Sequence, residues 1–266
     1  MSMHRRLQVV ALTTLGVTGL AQAQESSPLK KALEGTKPII DLRLRSETVD
    51  QDPIVNEARA ITLRARLGFE TGKAWDTSLL IEGEGVVPQR DDYRPDPLLP
   101  KNATYPVVAD AEGYEVNRLQ LTNTTLPGTT ITLGRQRINL DDQRFVGAVG
   151  WRQNEQTFDA VRVVNKSVKN LVIDVSYFDQ VNRLFGPESP QGRYDSDSYL
   201  INAGYQTKIG KITGFAYLLD FGNLPLVPAA VRDSTATYGV RFAGEVPAGK
   251  VKLGYAASYA TQSDYE

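Results

Sequence analysis

Arginines at every second position are the residues of this chain with the clearest chemical meaning. Residues 42–45 read Leu-Arg-Leu-Arg, and residues 61–69 read Ile-Thr-Leu-Arg-Ala-Arg-Leu-Gly-Phe. Because side chains two apart on a strand share a face, this spacing predicts strands with one apolar face and one face of guanidinium groups. A guanidinium binds carboxylates through two parallel hydrogen bonds, so the charged face is suited to anions.

Glu82 and Glu84 repeat this spacing with carboxylates. Two such groups on one strand lie roughly 7 Å apart, a separation that does not forbid an acid and base pair. Carboxylates also commonly line a barrel interior, so no catalytic residue is assigned. The chain has no cysteine and one histidine, His4, which excludes Ser-His and Cys-His catalysis and ordinary zinc sites. We therefore predict no enzyme activity, no metal and no cofactor.

The first 23 residues have the pattern of a secretory signal peptide. A basic segment around Arg5 and Arg6 precedes the apolar stretch 7–20, and Ala21-Gln22-Ala23 supplies a small-x-small cleavage site. We predict cleavage after Ala23, a periplasmic leader over 24–37 and one outer-membrane domain over 38–266. No later segment has the roughly twenty apolar residues of a membrane helix, so a membrane span would have to be a barrel.

Eleven alternating segments predict an antiparallel up-and-down β-barrel, an all-β fold. The predicted strands are 39–48, 59–70, 77–85, 115–123, 129–137, 157–164, 170–179, 198–207, 211–220, 235–243 and 250–260. Short turn-rich connections alternate with long ones, as in barrels with tight periplasmic turns and long outer loops. A soluble sandwich with an apolar core also alternates, but it need not sort its loops in this way.

The two faces of the predicted strands differ in kind. Aromatic residues near strand ends, such as Tyr199, Tyr205 and Tyr259, are typical of the bilayer interfaces. The residues expected to face lipid include Leu42, Leu44, Leu63, Leu67 and Ile81. Those expected to line the interior are Arg43, Arg45, Arg64, Arg66, Glu82, Glu84 and Arg118. Arg135 and Arg137 share parity with Ile131 and Leu133, so either a bulge shifts the register or these arginines lie beyond the lipid band.

The run GRQRINLDDQRFVGAVGWRQNEQTFDAVRV from Gly134 to Val163 resembles the alginate-export family of outer-membrane porins. The segments PIIDLRLRSE, TLRARLGFETG and YPVVADAEGYEVNRLQL are similar to the same family. The resemblance implies a barrel pore for an anionic solute, for example an acidic polysaccharide such as alginate. It also implies that Arg135, Arg137, Arg144 and Arg152 belong to the solute pathway.

Three further expectations follow. The 139–156 connection should fold into the lumen, with Phe145, Val146, Val149 and Trp151 as anchors and Arg144 and Arg152 in reach of anions.

Eleven strands is an odd count, whereas bacterial barrels have even numbers, so we expect the chain to be incomplete at its C-terminus. The net charge of −1 gives no case for nucleic acid, which leaves lipid and an anionic solute as partners. Oligomeric state is not predicted.

Two alternatives stay open on the sequence alone. In the first, the interior charges are ion pairs that brace the lumen and select nothing. In the second, the protein is a non-transporting outer-membrane barrel with a structural or adhesive role carried by its long loops.

Overall fold

The computed structural model describes residues 27–222 and 233–265, so the predicted signal peptide lies outside the described residues. The described part begins with one short helix, α1 (Pro28–Glu34), which is capped by the Ser27 hydroxyl and has proline in its first turn. The amide of Gly72 donates to the carbonyl of Ala32 at 2.8 Å, which docks α1 on the connection after the second strand. Within the described residues, no helix has the length and apolar content to cross a membrane.

All eleven predicted strands are present. They are β1 (Lys37–Val49), β2 (Ala58–Glu70), β3 (Thr77–Asp92), β4 (Gly113–Asn123), β5 (Thr129–Gln136), β6 (Thr157–Asn165), β7 (Leu171–Asn182), β8 (Arg193–Thr207), β9 (Gly210–Leu219), β10 (Thr235–Ala248) and β11 (Val251–Asp264).

β3 extends seven residues beyond its predicted end, to Asp92. Apolar alternation stops at Val87, but pairing continues because β2 supplies partners as far as Arg59, which lies opposite Asp92. The β2–β3 register shifts next to Pro88. A shift at this position suits proline, which has no amide hydrogen to give to the ladder.

The strands form one sheet in which each strand pairs antiparallel with the next, from β1 to β11 in order. The connections 50–57, 93–112, 137–156, 183–192 and 220–234 are long and leave the same end of the sheet. Short connections and α1 lie at the opposite end. This is the predicted up-and-down antiparallel fold.

Apolar side chains cover the outer face, as expected. Leu42 and Leu44 are each 68% exposed and Leu67 is 59% exposed, whereas Arg64, Arg66, Glu82 and Glu84 are buried. Leu63 is also exposed, and Ile81 is half-buried. The polar residues of these strands therefore turn inward. A sandwich would bury the leucines instead, so its expected arrangement is not the one observed.

The interior contains two regions of different chemistry. We call the apolar residues of β6–β9, together with those of the 137–156 connection that pack on them, the apolar cluster; its members are Ile138, Leu140, Val146, Phe158, Ala160, Phe178, Val181, Tyr194, Leu200, Phe215 and Tyr217. We call the charged residues at β1–β4 the arginine wall; they are Arg43, Arg45, Arg64, Arg66 and Arg118 with the carboxylates Asp41, Glu47, Glu82 and Glu84.

Candidate functional site

The connection between β5 and β6, residues 137–156, folds inward and contacts both interior regions. We call it the crossing loop. Its first part packs on the apolar cluster: Val146 is buried, and the Phe145 ring lies 5.5 Å from Phe215 and 6.1 Å from Tyr217. The inward course expected from the sequence is therefore observed, and Phe145 and Val146 are the residues that anchor it.

The second part of the crossing loop is held by polar contacts with β1, β2 and the 93–112 connection, and most of these contacts are made by Gln153. This side chain is fully buried, and its Nε2 donates to the carbonyl and the hydroxyl of Thr62 at 2.8 and 2.9 Å. Its Oε1 accepts from Nε of Arg43 at 2.8 Å. Its backbone amide donates to Asp110 at 3.1 Å. One residue thus ties the loop to β1, β2 and the 93–112 connection.

Arg43 and Arg45, adjacent inward positions of β1, both bind carbonyls of the crossing loop. Arg43 donates to the carbonyl of Gly150 at 3.2 Å and to that of Arg152. Arg45 donates to the carbonyl of Trp151 at 2.6 Å and pairs with Glu47. These guanidiniums thus fix the backbone of the loop at Gly150, Trp151 and Arg152 against β1.

A buried network joins the loop to β2–β4. Arg66 pairs with Glu84, and its Nη1 lies 3.4 Å from Glu155 of the loop. Arg118 binds Glu82 through two hydrogen bonds of 2.9 and 2.7 Å. Arg137 contacts both Glu155 and Glu82. Paired charges of this kind can be buried, since each guanidinium meets a carboxylate.

Arg64 is the least satisfied cation of the wall. It pairs with Asp41 at 2.6 Å, but its Nε and Nη1 atoms are buried and have no hydrogen-bond partner among the described residues, whereas Arg45 has one such atom, Nε. Arg64 also lies opposite Arg43 in the β1–β2 register. The structure therefore concentrates positive charge at this point.

Arg135 and Arg137 resolve the parity conflict in part. β5 pairs with β4 and β6 without a register shift, so the bulge considered for this strand is absent from its ladders. Arg137 follows the last residue of β5, where alternation no longer applies, and it contacts the interior carboxylates. Arg135 is not in that network: it binds Asp159 of β6 at 2.7 and 2.9 Å.

The two loop arginines differ from one another. Arg152 lies 3.0 Å from Glu47 and 4.3 Å from the Trp151 ring centroid. Arg144 is exposed and forms no ion pair among the described residues. Trp151 is 60% exposed, so the expected role of this residue as an apolar anchor is wrong; it stacks under arginines instead.

Sequence reasoning missed two buried aspartates that organise the site, Asp110 and Asp96. Asp110 accepts from Gln153 and lies 3.1 Å from Arg45. Asp96 accepts from Ser189 and, at 2.7 Å, from Gln191, which links the 93–112 and 183–192 connections. They lie in irregular segments without periodicity, so the sequence carries no signal for their burial. Among the described residues, no group of three His, Cys, Asp or Glu side chains is placed to hold a metal ion.

A scan of protein-family models and a search of curated proteins find no match to this chain. Solved structures do match its fold. OccAB1 of Acinetobacter baumannii matches with a TM-score of 0.64 and 17% sequence identity. OpdK of Pseudomonas aeruginosa, solved with vanillate, matches with a TM-score of 0.64 and 16% identity. A BenF-like porin from Pseudomonas fluorescens Pf-5 matches with a TM-score of 0.61 and 14% identity. Each match covers 88% of this chain.

These neighbours are outer-membrane porins, so the chain has a porin fold. They are not alginate-export porins, and the finer resemblance expected from the Gly134–Val163 run is not supported. The chain spans 54%, 59% and 60% of the length of the three neighbours.

Proposed function

We propose that the protein is an outer-membrane channel whose interior passes small anionic solutes, with the crossing loop as its constriction. The observation that carries this proposal is the loop itself, which lies inside a porin-type sheet and is fixed against a wall of arginines. A porin fold supports an outer-membrane location, with lipid against the exposed leucines. The protein is proposed to be a transporter and not an enzyme.

The charge pattern supports anion passage with weak binding. Most arginines of the wall and the loop already contact carboxylates or carbonyls, so a passing anion competes for them and is not trapped. The site residues proposed for this pathway are Arg43, Arg45, Arg64, Arg66, Glu82, Glu84, Arg118, Arg137, Arg144 and Arg152. Arg135 is left out because its guanidinium pairs with Asp159 of β6 and does not contact the buried network.

The adhesive alternative has less support. It requires long connections that are free at the surface, whereas the 93–112, 137–156 and 183–192 connections bind one another and the interior wall. Passage of a polysaccharide is likewise not proposed, since the alginate-export assignment is not supported by the structural neighbours.

Planar-bilayer recording of the full-length protein tests the proposal. Under a potassium chloride gradient, the reversal potential should show a preference for chloride, and small carboxylates should reduce the chloride current reversibly. A matched neutral solute of equal size should not do so. A channel without anion preference, or a barrel without conductance, would overturn the proposal.

A further inference from the structure

Arg43 differs from the other cations of the wall in the partners that it binds. Its three hydrogen-bond acceptors are Oε1 of Gln153 and the carbonyls of Gly150 and Arg152, all of them uncharged. Among the described residues it forms no ion pair. Arg45, Arg66 and Arg118, in contrast, each contact a carboxylate. Arg43 is therefore held in place without being neutralised.

Gln153 is the side chain that makes this arrangement possible. Its oxygen accepts from Nε of Arg43, and its nitrogen is fixed by Thr62, so the amide cannot rotate without losing both contacts. A glutamate has nearly the same shape and is the more common partner of an arginine. It would neutralise Arg43, and it could not donate to Thr62.

We propose that Gln153 is a positioning residue for anion selectivity: it orients Arg43 through a neutral hydrogen bond, so that the guanidinium keeps its full charge for a passing anion. The inference rests on the proposed channel function and deepens it. The partly exposed Arg43 lies opposite Arg64 in the β1–β2 register, and of these two cations only Arg64 has a carboxylate partner among the described residues.

The test is Gln153→Glu in the full-length protein, recorded in planar bilayers. The anion-to-cation permeability ratio should fall by about threefold to fivefold, the size expected for one added charge about 4 Å from another in a water-filled pore. Gln156→Glu is the matched control. It makes the same substitution three residues along the loop, where the side chain donates to the carbonyl of Gly147 and forms no hydrogen bond with an arginine of the described residues. That variant should change the ratio by less than half as much.

Arg43→Gln provides the second variant, in case Gln153→Glu does not assemble. It removes the proposed cation directly and should lower the ratio to a similar extent. Gln153→Met keeps the length of the side chain but cannot form the hydrogen bonds, so it separates orientation from charge. In this variant the anion-to-cation permeability ratio should vary from one channel opening to the next, and its mean should fall less than in Gln153→Glu.

The results separate the proposed channel function from the role of Gln153. A wild-type channel without anion preference would overturn the proposed function and this inference with it. An anion-selective wild type in which Gln153→Glu and Gln156→Glu have equal effects, or in which Arg43→Gln has none, would overturn this inference and leave the proposed function standing.

Discussion

The crossing loop is held at its two ends by different kinds of interaction. Its first part, around Phe145 and Val146, packs on the aromatic side chains of β6–β9. Its second part, around Gln153 and Glu155, is bound by hydrogen bonds and ion pairs to β1–β4. Apolar packing tolerates small shifts in position, whereas hydrogen bonds fix distance and direction. The polar end therefore sets the geometry of the interior, and the apolar end provides non-specific adhesion.

The polar end should show the largest loss on a single substitution. Arg66→Gln removes the only cation that pairs with the buried Glu84 in the described part of the chain, whereas Glu155 keeps its contact with Arg137. We expect a loss of about 3–5 kcal/mol in the free energy of unfolding, measured by urea titration of the refolded protein. Adding Glu84→Gln should recover part of the loss, because it removes the stranded charge. A double variant no more stable than Arg66→Gln would contradict the pairing described here.

At the apolar end, Leu200→Ala should cost about 2–5 kcal/mol, since the side chain is 1% exposed within the apolar cluster and its removal leaves a cavity. The same titration measures it. The loss should not change between low and high salt, unlike that of Arg66→Gln. Equal salt dependence in the two variants would remove the distinction between the ends.

The two loop arginines allow a comparison between the ends, since Arg144 lies beside Phe145 and Arg152 beside Gln153. Arg144 is exposed, whereas Arg152 contacts Glu47. Replacing both with glutamine should weaken block by small carboxylates by about 1.5–3 kcal/mol in apparent affinity, because charge-assisted contacts are lost. Most of the effect should come from Arg144→Gln. Concentration dependence of block measures it, with flux of a neutral solute as the control. Unaltered block in both variants would place any selectivity elsewhere.

Trp151 should give the smallest effect. Its ring lies under the Arg152 guanidinium at 4.3 Å but is largely exposed, so Trp151→Leu should cost about 0.5–1 kcal/mol of stability. A loss as large as that of Leu200→Ala, in the same titration, would show that this ring is an apolar anchor after all.

The sequence predicts which face of a strand a residue occupies but not which partner it meets. Strict alternation placed Arg43, Arg64 and Glu84 on the inner face correctly, because a slip of one residue would put arginines into lipid at a cost of about 2–4 kcal/mol each. The contacts of Gln153 with Thr62 depend on how a loop folds across ninety-one positions of chain, and no local pattern encodes that separation.

Two differences between the predicted and the observed strands also arise from contacts that no local pattern encodes. The extra length of β3 comes from pairing with β2 and not from the alternation of β3 itself. Arg137 escapes the parity of β5 because the strand ends one residue before it. Periodicity is informative within a strand, where the arginine wall lies, and uninformative at strand ends and in the crossing loop.

In the proposed channel, residues 137–156 cross the interior and narrow it. Replacing residues 140–152 with a short Gly-Ser linker should therefore raise the single-channel conductance of the full-length protein several-fold. Shortening the exposed 50–57 connection is the matched control and should leave conductance unchanged. An unchanged conductance after replacement of 140–152, in a protein that still assembles, would show that the crossing loop does not narrow the interior.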